Sequence, residues 1–377
     1  MKVFKRCFIG VVTVIGLFVF SVCAFAQSQD IYDELMESSS AVDLIDCLNE
    51  EQKDLLAKLG IDSVDFTSLF STQPHKVFDL IFEVFTANYQ SPIKSSITVA
   101  VMIIAVSVAS QFVSSDDKTN KVIFVFGALS ISLCLIVPLS VCITRVISAI
   151  GLTADFMLAL LPVLACVLTA SGNPAAALSY NSLCFAAAQT VTGIADGFIR
   201  PIIQIILSLS VISGINDSLN FEKTVGFIKK TAVFILGFVS TVFVTLLSLK
   251  GMLSNAADSV AVRGIRFLIG NSIPVVGGAL SDAYNSVIGT LLMVKNTVAV
   301  FAVAAIAVIN LPVVAECVWW VFMLYLLSAL ADIFSLNRIS FMLTSVASAV
   351  TLLTVSLVLV VIVFILSIGL IMLLKGG

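Results

Sequence analysis

The run T-A-V-F-I-L-G-F-V-S-T-V-F-V-T-L-L-S-L, Thr231 to Leu249, is 19 residues long and carries no charge. Wound as a helix it is about 28 Å long, close to the hydrocarbon thickness of a bilayer. Similar runs lie on both sides. Upstream are Ile93 to Val113, Val122 to Cys142, and the pair Asp155 to Ala170 and Ala175 to Phe198, followed by Ile202 to Ile215. Downstream, Thr297 to Leu330 is interrupted by Asn310, Pro312 and Glu316, and Phe341 to Leu374 ends the chain. With 59% hydrophobic and 11% charged residues, the 377-residue chain lies far outside soluble composition. The pattern predicts an all-α, polytopic membrane protein of seven to nine membrane segments, some of them broken or re-entrant.

The ends divide the chain into three. Lys2, Lys5 and Arg6, the apolar Phe8 to Phe20 and the small-residue site Ala24-Phe25-Ala26 read as a signal peptide over 1–26. Residues 27–91 hold eight Asp and five Glu against three Lys, a net charge of −10. Such a segment is repelled by nucleic acid and by anionic lipid, which suits a small helical extracytoplasmic head. Within it, Asn49 and Gln52 have capping-box spacing, Leu55, Leu56 and Leu59 form a stripe, and Gly60 closes the helix. A second helix starts near Pro74 with Val77, Leu80, Ile81, Val84 and Phe85 on one side, and Phe78 and Phe82 widen the apolar face. Residues 92–377 form the multi-pass transmembrane domain. Alternating spans place the Lys223–Lys230 and Lys250–Arg266 groups on opposite sides, against the positive-inside rule for one of them.

The least lipid-like stretch of that domain is Gly264 to Asn296. Backbone groups that glycine and proline free at membrane depth must be satisfied by protein or by a polar cavity. Gly270, Asn271, Pro274, Gly277, Gly278 and Asp282 are therefore candidate conduit or subunit-docking residues, and Glu316, beside Pro312, joins them. Ser171-Gly172-Asn173-Pro174 reads as a helix break. Asp196 and Arg200, four residues apart, are placed to form an ion pair on one helical face. Arg145, Arg200 and Lys295 also fit charges that snorkel at span ends.

Chemistry is otherwise sparse. The one histidine, His75, rules out a histidine-based metal cluster within one chain, and neither G-x-S-x-G nor a phosphate-binding G-x-x-x-x-G-K-[ST] loop occurs. Five cysteines (Cys134, Cys142, Cys166, Cys184, Cys317) lie in apolar surroundings, where cysteine behaves as a small buried hydrophobe. No enzyme activity, cofactor or metal is expected. A secondary transporter that couples Asp282 or Glu316 to an ion is the alternative reading of the broken helices.

The break S-G-N-P-A-A-A at Ser171 to Ala177, the block F-L-I-G-N-S-I-P-V-V-G-G-A-L-S-D at Phe267 to Asp282 and the following L-L-M-V-K-N, Leu291 to Asn296, resemble the stage III sporulation protein AE family of endospore-forming bacteria. The resemblance implies a membrane subunit of the channel or secretion-like complex encoded by the stage III sporulation A operon. That complex sits in the mother-cell membrane around the forespore and is needed for late forespore gene expression. The implied partners are the other membrane proteins of the operon, a separate cytoplasmic ATPase, and stage II sporulation protein Q from the forespore. No catalytic residue is implied.

Overall fold

The computed structural model describes residues 36, 41–61, 63–64, 69, 74–112, 117–215, 221–272 and 277–372, with backbone alone at 42, 74, 111–112, 117–121, 222, 252–272 and 277–285. The signal-peptide reading of residues 1–26 falls outside them. The described residues form helices and no strand. After a 3-10 turn at Val42–Cys47 come α1 (Glu50–Leu59), α2 (Pro74–Ala87), α3 (Gln90–Phe112), α4 (Asp117–Ala170) and α5 (Pro174–Ile194). A π-turn, Ala195–Ile199, runs on into α6 (Arg200–Ile215), and α7 (Glu222–Ser272), α8 (Gly277–Ile333) and α9 (Asn337–Met372) follow.

Among the described residues, six helical stretches are long and apolar enough to cross a membrane, where the sequence reading counted seven to nine segments. The difference arises where runs fuse. Val122 to Cys142 and Asp155 to Ala170 belong to the single 54-residue α4, which passes through Pro138 and Pro162. Proline removes one hydrogen bond and bends a helix, and inside a packed apolar bundle neighbouring helices stabilise the bend. The 57-residue α8 likewise passes through Pro312. The 51-residue α7 runs unbroken past Lys250, Arg263 and Arg266, so the membrane edge expected there is continuous helical backbone.

The helices run alternately down and up. The ends of α3, α6 and α8 and the starts of α4, α7 and α9 lie towards one end, called lower here, and α4 and α5 turn over at the other. Two buried apolar clusters stack along this axis. The lower holds Ile131, Ile206, Trp320, Leu324 and Leu343, from α3, the first half of α4, α6, the start of α7, the second half of α8 and the first half of α9. The upper holds Leu160, Leu164, Tyr180, Phe301 and Phe364, from the second half of α4, α5, the first half of α8 and the end of α9.

The head packs on the upper cluster. In α1 the Asn49 N–H donates to Gln52 Oε1 at 3.0 Å. Gly60, at φ +83°, ends the helix with N–H donations from Gly60 to Ala57 and from Ile61 to Leu56. Leu55, Leu56 and Leu59 are buried, and Leu80 and Val84 of α2 join the same core as Val300 and Val303 of α8. The Trp319 Nε1–H donates to the Phe85 carbonyl at 2.8 Å, fixing the end of α2 to α8. Phe78 and Phe82 lie outside this contact, 67% and 73% exposed, because the buried face of α2 is the narrower one centred on Leu80 and Val84.

Candidate functional site: a charge pair beside a polar cleft

α8 is the most enclosed long helix, so polar residues within it must find partners inside the protein. Asn310 does so with its amide, which donates to the Ile306 carbonyl and to Thr153 Oγ1 of α4, both at 2.8 Å. Pro312 then withdraws one backbone donor, which leaves the Val308 carbonyl without its intrahelical partner. One turn further, the Glu316 carboxylate is enclosed at 5% side-chain exposure, and Arg145 of α4 donates from Nη1 to its Oε2 at 2.8 Å. Arg145 is itself 57% exposed. Its head pairs with a buried acid rather than extending alone, which is the condition for keeping that carboxylate charged in an apolar interior.

The pair borders an open cleft of about 640 Å³ between α1, α4 and α8. Its wall is polar for a bundle interior: Asn49, Glu51 and Gln52 come from α1, Asn88 from the α2–α3 junction, Ser140, Thr144 and Ser148 from α4, and Val308, Pro312 and Glu316 from α8. The electrostatics are those of one paired charge lined by hydroxyls and carboxamides, with Glu51 of the head as a second acid near Arg145. Apolar side chains, among them Leu55, Leu152 and Ile309, complete the lining. Among the described residues no three of His, Cys, Asp and Glu converge as a metal ligand set. Immediately below, Cys142 and Cys317 are buried with their Sγ atoms 3.7 Å apart.

The other residues singled out by sequence are dispersed. Gly270 and Asn271 lie in the last turn of α7, and Gly277, Gly278 and Asp282 in the first turns of α8, as helical backbone. Pro274 falls outside the described residues. Gly172, at φ +82°, carries the turn between α4 and α5. There the Asn173 N–H donates to the Leu168 carbonyl and the Gly172 N–H to Thr169, and Pro174 opens α5 where its missing N–H costs nothing. Arg200 Nη2 lies 2.8 Å from Asp196 Oδ1, with Nε donating to the same oxygen at 3.1 Å, across the π-turn.

Three features escaped the sequence reading. The partner of Glu316 lies 171 residues away, beyond any local pattern. The same holds for the sulfur pair. Lys295 is buried at 2% exposure, with Nζ 3.5 Å from the Met372 carbonyl at the end of α9, and does not snorkel. A helix C-terminus offers carbonyls and partial negative charge, which suit an enclosed ammonium. The cysteines also divide: Cys142, Cys184 and Cys317 are buried, Cys134 is partly covered, and Cys166 is exposed.

A Bacillus subtilis (strain 168) protein, "Stage III sporulation protein AE", is 28% identical over 164 residues, which cover 44% of this chain and 41% of that protein. The match therefore spans less than half of the relative's length. No solved structure matches. The stage III sporulation protein AE family itself matches residues 64–375, which takes in α2 and every long apolar helix, and the chain belongs to that family.

Proposed function

We propose that this protein is the membrane subunit of the stage III sporulation A-operon channel or secretion-like complex, in the mother-cell membrane around the forespore. The observation that carries the reading is the family match over residues 64–375, which spans all six apolar stretches. Charge supports an orientation. The lower end holds Lys118, Lys121, Lys223, Lys229, Lys230 and Arg338, and the positive-inside rule assigns that end to the cytoplasm. The acidic head then lies outside the cytoplasm, where basic domains of partners from the forespore side can reach it. The other operon membrane proteins, a cytoplasmic ATPase and stage II sporulation protein Q are the proposed partners. No catalytic role is proposed for any residue.

Deletion of the gene, with fluorescence imaging of sporulating cells, tests the proposal. Forespores should complete engulfment and then fail in late forespore transcription; normal late transcription and mature spores overturn it. The transporter reading keeps one observation in its favour, the polar cleft at Glu316. Uptake of a small solute by the purified chain alone would select it instead.

A further inference from the structure

We propose that the surface this chain offers to lipid is its lower tier alone, and that the upper tier stands with the head outside the hydrocarbon layer as an extramembrane helical platform. The argument starts from length. The apolar stretches Val122–Ala170 and Ser286–Ile333 are 49 and 48 residues long. As helices they reach about 70 Å, more than twice the roughly 30 Å of a bilayer core, and tilting cannot absorb such an excess.

Charged groups then fix where lipid ends. Cross-helix contacts set the register: Ser132 meets Met342, and Ser328 meets Ser340 and Thr344, all in the lower tier. Thirteen residues above Ser132 is Arg145, and twelve above Ser328 is its partner Glu316, so the pair lies about 18 to 20 Å above those contacts. Asn337, where α9 begins, is five residues below Met342. The lower tier is therefore about 27 Å thick from that end to the charge pair, a single hydrocarbon thickness.

Three observations mark this level as an interface. Arg145 is 57% exposed, and the Asp196–Arg200 pair, between the two apolar clusters, is 57% and 39% exposed. Charges on an outer face are cheap among headgroups and cost several kcal/mol in the hydrocarbon centre. Tyr89 and Trp319 meet at 6.2 Å, three residues from Glu316, as the aromatic belt of a membrane boundary does. The outer faces also change there. Below, Val101, Phe126, Leu133, Val137, Phe234 and Phe238 form a nearly unbroken apolar skin. Above, on α5, exposed Leu178 and Phe185 alternate with exposed Ser182, Gln189 and Thr190, and Asp155 of α4 is exposed ten residues past Arg145, while α7 carries exposed Leu246 and Leu249 beside exposed Thr241 and Thr245. Lys229 and Lys230 lie about two turns above Glu222 and reach the lower rim by extending along their stems.

Single cysteines test it in the full chain, in native membranes, on a Cys47→Ser, Cys166→Ser background. Asp155→Cys and Ser182→Cys should react with a membrane-impermeant maleimide within about tenfold of the rate at Cys47 in a chain carrying Cys166→Ser alone, whereas Leu133→Cys and Phe234→Cys should react only after denaturation, because the reactive thiolate needs water. A second measurement needs no substitution. Brominated lipids should quench tryptophan fluorescence most strongly when the bromines are near the headgroup, since Trp319 lies at the boundary. Protection of Asp155→Cys and Ser182→Cys in membranes, or strongest quenching by bromines at the chain ends, overturns the proposal.

Discussion

Removing the guanidinium of Arg145 should cost the fold more than neutralising its partner. Arg145→Leu leaves the Glu316 carboxylate, at 5% exposure, without its 2.8 Å donor. Breaking a fully buried pair costs about 3–5 kcal/mol, and because Arg145 is more than half exposed beside an open cleft, about 2 kcal/mol is expected here. Glu316→Gln keeps the shape and an acceptor for Arg145, whose charge can turn to water, so its cost is about 0.5–1 kcal/mol. Arg145→Leu with Glu316→Leu removes both charges and should return to within about 1 kcal/mol of the parent. Thermal unfolding of the detergent-solubilised full chain reads these differences, with Arg145→Leu lowered by about 4 °C and Glu316→Gln by about 1–2 °C. A Glu316→Gln variant as unstable as Arg145→Leu, or a double variant no better than Arg145→Leu, would refute the asymmetry.

Gly172→Val forces a β-branched residue to φ +82° in the turn between α4 and α5, and should cost more than about 1 kcal/mol in the same assay; an unchanged midpoint contradicts the turn geometry. Cys142 and Cys317, with sulfurs 3.7 Å apart, should close to a disulfide under iodine, which accepts the two electrons. With a protease site inserted after Asp217, the cleaved fragments should then stay joined on a non-reducing gel; separate fragments with both thiols still titratable would show the helices apart. In the head, Glu83 and then Asp54 hold the exposed Lys58 ammonium above its ordinary range. The folded value is raised, so the contribution of these contacts is complete at neutral pH and is lost only as pH rises through that value. A Lys58→Met substitution should therefore leave the pH dependence of unfolding between pH 6 and about 9 unchanged, and a new slope there would count against the contacts.

Local chemistry was legible in the sequence wherever a few neighbouring residues decide the outcome. Asn49, Gln52 and Gly60 bound α1, Gly172 and Pro174 mark a turn, and the spacing of Asp196 and Arg200 suffices for a pair. Helix count was less legible, since proline and single charges that end a soluble helix are tolerated at Pro138, Pro162 and Pro312 inside a packed apolar bundle. Composition marked Glu316 as costly to bury but could not name Arg145, because apolar periodicity carries no information about which distant helix supplies the counter-charge. Lys295 was misread for the same reason: a lysine at the edge of an apolar run snorkels unless another element covers it, and here the end of α9 does. Phe78 and Phe82 showed that an apolar residue on an amphipathic helix need not face the core when another surface is available to it.

The central claim is membership of a sporulation membrane assembly, and affinity purification from sporulating cells tests it most directly. A tagged chain, extracted in mild detergent from cells past engulfment, should carry with it the other stage III A-operon membrane proteins and the cytoplasmic ATPase, in fixed ratio across a size-exclusion peak. Elution of the intact chain alone, from a lysate in which those proteins are present and soluble, would contradict the account.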